Sequence, residues 1–127
     1  MIMGKICEYT CPSCNTIWSI HIGHGMEHAI LENILDVFPT EIQKKIISDT
    51  KEEQFPYFEF NYYPAVCHEC QNIVSVPVIH LYKSGHTYSS VCPDCGKPVD
   101  IQSENIGFLC PLCKESTLLS LETGTWD

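Results

Sequence analysis

A small α+β fold held together by metal is what this sequence predicts. It reads as two zinc-ribbon-like β modules: residues 1–82, interrupted by a helical hairpin at about 26–50, and residues 83–127. Three observations carry that expectation. Eight of the nine cysteines fall into four Cys-x-x-Cys pairs, Cys11/Cys14, Cys67/Cys70, Cys92/Cys95 and Cys110/Cys113. The segments beside the pairs have strand composition, whereas apolar residues recur at helical spacing between Met26 and Thr50. Finally, 127 residues make one ordinary domain or two small ones, and a small domain buries too little apolar surface to stand without a staple.

Taken in chain order, Ile6–Thr10 approaches the first pair as a strand, the chain turns at Cys11-Pro12-Ser13-Cys14, and Ile17–Ile20 leaves as a second strand. A Gly-His-Gly turn at 23–25 precedes a helix over Met26–Phe38, whose apolar face is Ile30, Leu31, Ile34, Leu35 and Phe38. Pro39 stops it. Thr40 with Gln43 forms a Thr-x-x-Gln capping box for a second helix bearing Ile42, Ile46 and Ile47 and ending near Thr50. Tyr57–Tyr63 is a strand leading to Cys67. Ile73–Tyr82 and Thr87–Val91 form a hairpin about Lys83–His86, and Pro77 marks the first of these as an edge or bulged strand. Ser116–Leu121 is the last strand, and Gly124–Asp127 is expected to fray.

The N-terminus, Met-Ile-Met-Gly-Lys-Ile, has no charged region followed by an apolar run, and no stretch approaches the ~20 apolar residues that span a bilayer. A soluble, cytoplasmic protein is expected, with no membrane partner. In that compartment thiols stay reduced, so the cysteine pairs point to metal in preference to disulfides. In a Cys-x-x-Cys turn both sulfurs converge on one point, and two such turns complete a tetrahedron around Zn²⁺. Two structural zinc ions are therefore expected, with Cys11, Cys14, Cys67, Cys70, Cys92, Cys95, Cys110 and Cys113 as ligands. Iron is the lesser alternative, suggested by the rubredoxin-like knuckle Cys92-Pro93-Asp94-Cys95-Gly96, although the 14-residue gap after it is shorter than in that family.

Four pairs can share two metals in three ways. The 14 residues between 92/95 and 110/113 match the spacing of short zinc ribbons, which joins 11/14 to 67/70 and is the preferred arrangement. The pairing of 67/70 with 92/95 stands second and the crossed arrangement third.

The formal charge is −9, and each centre of one divalent metal with four thiolates adds −2, taking the total to −13. Lys44-Lys45 is the only adjacent basic pair, so there is no basic stripe for phosphates, and direct nucleic-acid binding is not expected. All four knuckles read as closed, with no open coordination position for catalytic water, and the zinc deaminase signature is absent. No catalytic residue is assigned. Cys7, the ninth cysteine, reads as a small buried residue on the first strand. His21, His24 and His28 crowd the helix entry and read as a polar turn; His68 and Glu69 read as solvated knuckle residues. The densest aromatic run, Tyr57, Phe58, Phe60, Tyr62 and Tyr63, would bury one face of a strand and show the other.

The leading functional reading is a non-enzymatic zinc scaffold or adaptor that presents an acidic, aromatic surface to another protein. Two alternatives stand beside it. One is a nucleic-acid-associated ribbon within a transcription complex that supplies the basic surface. The other is a thiol or metal enzyme using Cys7 or the His21/His24/His28 cluster.

The segment Tyr9–Tyr82, a little over half of the chain, resembles the CpXC-type domains of bacteria through Cys11-Pro12-Ser13-Cys14, the helical insertion and the second Cys-x-x-Cys. Cys67-His68-Glu69-Cys70 departs from the motif in lacking proline. The resemblance implies a zinc ribbon closed by 11/14 with 67/70, and it implies no activity.

Overall fold

Two antiparallel sheets and a short helical segment make up the fold in the computed structural model, which describes residues 4–24, 30–102 and 107–126. β1 (Gly4–Thr10) and β2 (Ile17–Ile22) pair from Lys5↔Ile22 to Thr10↔Ile17 around the first knuckle, as their alternation predicts. Their inward residues Cys7, Tyr9 and Ile22 pack with Leu118, Ile73 and two cysteines, Cys11 and Cys110. Cys7 is thus a buried core residue, 8% exposed, as expected.

The third strand of this sheet is not the one the sequence suggests. β7 (Leu119–Trp126) pairs antiparallel with β1 along its whole length, so the order is β2-β1-β7 and the two ends of the described chain lie side by side. Residues 124–126, expected to fray, are ordered strand instead. The reason is Trp126, whose Nε1 donates to the carbonyls of Lys5 (3.1 Å) and Ile22 (2.9 Å) while its ring meets His21 and Tyr62 edge-to-face. Gly4 lets the indole close over the start of β1, since a Cβ there would collide with the Trp126 ring.

The second sheet, in order β5-β4-β3-β6, is built on the long hairpin of β3 (Phe58–Cys67) and β4 (Asn72–Leu81), flanked by β5 (Thr87–Ser89) and β6 (Asp100–Ile101). β4 is therefore an inner strand, against the expectation drawn from Pro77. Pro77 is tolerated because its side of the backbone faces β5 just beyond the ladder, which starts at Val78; there the Pro77 carbonyl accepts from the Ser90 amide at 3.1 Å. The two sheets are joined by reciprocal bonds between Gly23 and Tyr62, 2.8 and 2.6 Å.

The predicted first helix is only partly realised. Residues 26–29 lie outside the described residues, and beyond them the chain makes one α turn, α1 (Leu31–Ile34), then a 3-10 turn at Leu35–Val37. α2 (Thr40–Thr50) forms as predicted. Thr40 is not its cap, however. Pro39 occupies that position, and Gln43 folds back to donate its side-chain amide to the Phe38 carbonyl at 2.8 Å. Ile34, Phe38 and Ile46 pack on Phe60, Ile79 and Leu81, while Ile47 is left half exposed. None of the described helices is long and apolar enough to cross a membrane.

α2 is tied to the β4–β5 hairpin through Asp49, which accepts from Tyr88 Oη and His86 Nδ1, each at 2.7 Å. The Tyr88 hydroxyl, ahead of His86, holds the Asp49 carboxyl below its usual value, and Asp49 in turn pushes Tyr88 up to about 12. The stabilising effect of Asp49 is thus present above its ordinary pKa and disappears as pH falls through the lowered value; that of Tyr88 disappears as pH rises from 10 toward 12. Asp49→Asn should cost about 1–2 kcal/mol at neutral pH, seen as a lower urea midpoint in the metal-loaded protein. The variant should also lose the share of the acid dependence that Asp49 contributes as pH falls through its lowered pKa.

Candidate metal centres

Each of the four Cys-x-x-Cys turns folds by the same local device. The residue after the second cysteine takes a positive φ: Asn15 at 61°, Gln71 at 51°, Gly96 at 75° and Lys114 at 58°. That left-handed residue bends the chain back so that its amide meets the carbonyl of the first cysteine: Asn15 on Cys11 at 2.8 Å, Gly96 on Cys92 at 2.9 Å, Lys114 on Cys110 at 3.0 Å. Asn and Gly favour this conformation and Gln and Lys do not, so half of the signal is readable in the sequence. The turn also aims backbone amides at sulfur, as Cys14 N does at Cys11 Sγ and Cys70 N at Cys67 Sγ, both 3.4 Å. Across each turn, the first cysteine (Cys11, Cys67, Cys92, Cys110) is buried in a core. The second faces outward, Cys14, Cys70 and Cys95 being exposed and Cys113 half-buried.

All eight predicted cysteines converge in two tetrads, but with different partners from those expected. Cys11 and Cys14 meet Cys110 and Cys113; Cys67 and Cys70 meet Cys92 and Cys95. The preferred pairing of 11/14 with 67/70, which the CpXC resemblance also implied, does not form, and 92/95 does not meet 110/113. The second arrangement considered from the sequence is the one present. Each tetrad therefore draws one pair from either side of residue 82. The strands explain this. β6 lies against Ala65 and Val66 and brings the 92/95 turn beside the β3–β4 tip, and β7 returns to β1 and delivers 110/113 to the β1–β2 tip. Loop length does not oppose it, because a doubling of the closed loop costs only about 0.6 kcal/mol.

Within each tetrad the sulfurs lie within 4.8 Å of one another, with Cys11–Cys113 at 3.5 Å, Cys14–Cys110 at 3.8 Å and Cys67–Cys95 at 3.5 Å. A tetrahedron of four thiolates with metal–sulfur bonds of ~2.3 Å has edges of about 3.8 Å, so both donor sets have the size and chemistry to hold one metal ion each. All nine cysteines are free of disulfides.

Four thiols this close cannot ionise alike. The Thr16 hydroxyl, 3.2 Å away, pulls Cys14 down to about 6, and the Cys70 amide brings Cys67 to about 7. The neighbouring Cys95 and Cys67 sulfurs push Cys70 up to about 12. Cys14 and Cys67 are thus the readily ionised thiols of their tetrads, and a bound cation displaces protons from neighbours such as Cys70.

Among the described residues, the histidines do not assemble into a ligand set. His21 packs edge-on to Tyr62 with ring centres 4.7 Å apart, His24 Nδ1 bonds Asn61 Oδ1 at 2.8 Å, and His28 lies outside the described residues. His68 is exposed, as expected, and reaches Asp100, joining the β3–β4 turn to β6. In the aromatic run, Phe60 is buried, Phe58 and Tyr62 are half-buried, and Tyr57 stands 79% exposed. Sequence reasoning passed over Phe55, which is 83% exposed beside it.

No family model, curated protein or solved structure matches this chain.

Proposed function

We propose that the chain is a zinc-stabilised scaffold in which two four-cysteine centres hold the sheets together and leave an acidic, aromatic surface for a partner protein. The convergence of eight cysteine sulfurs into two tetrads of zinc dimensions carries this reading. All four donors of each tetrad are sulfur, the set that suits zinc or iron, and the placement favours a structural ion. Four thiolates fill a tetrahedral shell, and each centre sits where turns from distant parts of the chain meet. The net charge of −9 and the exposed rings of Phe55 and Tyr57 describe a surface suited to a protein partner and poorly suited to phosphates.

Elemental analysis of the purified chain, with a count of reactive thiols in the native state, tests this. Two zinc per chain and at most one reactive thiol are expected, since Cys7 is the only cysteine outside the tetrads. Iron in place of zinc would change the metal assignment. One metal or none, with several reactive thiols, would overturn the scaffold reading and bring thiol chemistry forward.

A further inference from the structure

A pocket of about 540 Å³ beside the aromatic strand lies at the N-terminal end of β3 and is lined by His24 and by Phe55 through Phe60. Phe55 and Tyr57 expose 83% and 79% of their surface there, the two most exposed large hydrophobic side chains among the described residues. An aromatic ring left in water at the mouth of a pocket is unusual for a core residue and normal for a contact residue.

Acceptors aimed at a cation are present at this pocket. Glu59 is the carboxylate in the lining, and it is held in place by Tyr82, whose hydroxyl donates to Oε2 at 2.7 Å, with the Asn61 side-chain amide directed at Oε1 at 3.4 Å. With its amide nitrogen turned to Glu59, Asn61 presents its oxygen to His24 Nδ1 at 2.8 Å, so His24 donates from Nδ1, and in the neutral imidazole Nε2 is then the acceptor. Carboxylate, imidazole nitrogen and ring faces all complement a group that carries only donors and a positive charge. None of the seven basic residues of the chain lines the pocket, all seven are lysines, and the chain as a whole is acidic.

We propose that this pocket docks a basic peptide segment of a partner protein, one arginine or lysine side chain entering between Phe55 and Tyr57 and pairing with Glu59. Arginine fits the chemistry best, because its planar guanidinium stacks on ring faces while donating to a carboxylate. The inference rests on the scaffold reading for there being a protein partner, and adds the chemistry of the segment that binds.

The test is titration of the zinc-loaded chain with an octapeptide of alternating Arg and Gly, followed by amide NMR shifts and calorimetry, with a Glu-Gly octapeptide as control. Saturable shifts confined to His24, Phe55–Phe60 and Tyr82 are expected, absent with the acidic peptide. Glu59→Gln should weaken binding by about tenfold and Tyr57→Ala by roughly threefold or more. Glu122→Gln removes the same charge from β7 and should change affinity little. Equal weakening by Glu59→Gln and Glu122→Gln, shifts elsewhere on the surface, or no saturable binding would overturn the proposal. Metal content read on the same samples separates the two readings: two zinc without peptide binding sinks the docking site alone, whereas a chain that keeps a dispersed spectrum with one metal or none sinks the scaffold.

Discussion

A chelator strong enough to strip both metals is expected to unfold this chain. The expectation follows from where the cysteines sit. One core packs Cys11 and Cys110 with Tyr9, Ile22 and Leu118, and another packs Cys67 and Cys92 with Ala65, Val74 and Val76, so the sulfurs are themselves part of the buried interior. A structural Zn²⁺ site contributes about 10–16 kcal/mol, as much as or more than the whole net stability of an ordinary domain, about 5–15 kcal/mol. Among the described residues, the core of Ile34, Phe38, Ile46, Phe60, Ile79 and Leu81 is the one free of cysteine, and amides in α2 and the adjoining stretches of β3 and β4 should be the last to lose protection. Acid should act in the same direction. Metal must displace protons from thiols such as Cys70, whose affinity for a proton is raised by its neighbours, so metal affinity falls as pH falls. Dispersion of the amide spectrum before and after chelation at pH 7.5 checks this; an unchanged spectrum in a metal-free chain would show that the fold stands without metal.

The second large effect concerns which knuckles share an ion. Cys110→Ser with Cys113→Ser should lower the metal content from two per chain to one and release Cys11 and Cys14 to alkylation, while Cys67, Cys70, Cys92 and Cys95 stay protected. The β1–β7 ladder should loosen in the same variant, because the 110/113 turn leads directly into β7. Mapping the alkylated cysteines by mass spectrometry reads the result. Release of Cys92 and Cys95 would mean that the ribbon-spaced pairing forms in solution and that the tetrads described above do not.

That pairing also shows where the sequence ceases to be legible. Strand residues betray themselves by alternation, and β1 through β5 fall close to where composition places them. The eight ligand candidates stand out by spacing alone. Partnership between knuckles is decided by which strands lie side by side, a property of the whole topology, and the 14-residue gap was a local cue that competed with it. The overlooked sign was Thr123 to Trp126: β-branched residues and a tryptophan after the last cysteine pair are strand formers, and reading them as such would have supplied the partner that brings Cys110 and Cys113 to β1. Pro77 misled in the opposite sense, because a proline excludes a hydrogen bond on one side of a strand only, and β5 stops short of that position. The capping box failed because Pro39 already sets the backbone at the helix start, which left Gln43 free to bond Phe38.

The return of β7 to β1 has a consequence for how the protein is made. A ribosome releases the chain from its N-terminus, so Cys67, Cys70, Cys92 and Cys95 have all emerged before Cys110 and Cys113 do, and that centre is the first to have its four ligands free. Cys11 and Cys14 emerge first of all and wait longest, their partners arriving about a hundred residues later. The first knuckle to appear therefore belongs to the last centre to load, and a chain interrupted before Cys110 would leave the ribosome with one centre complete and two thiols open to the wrong partner.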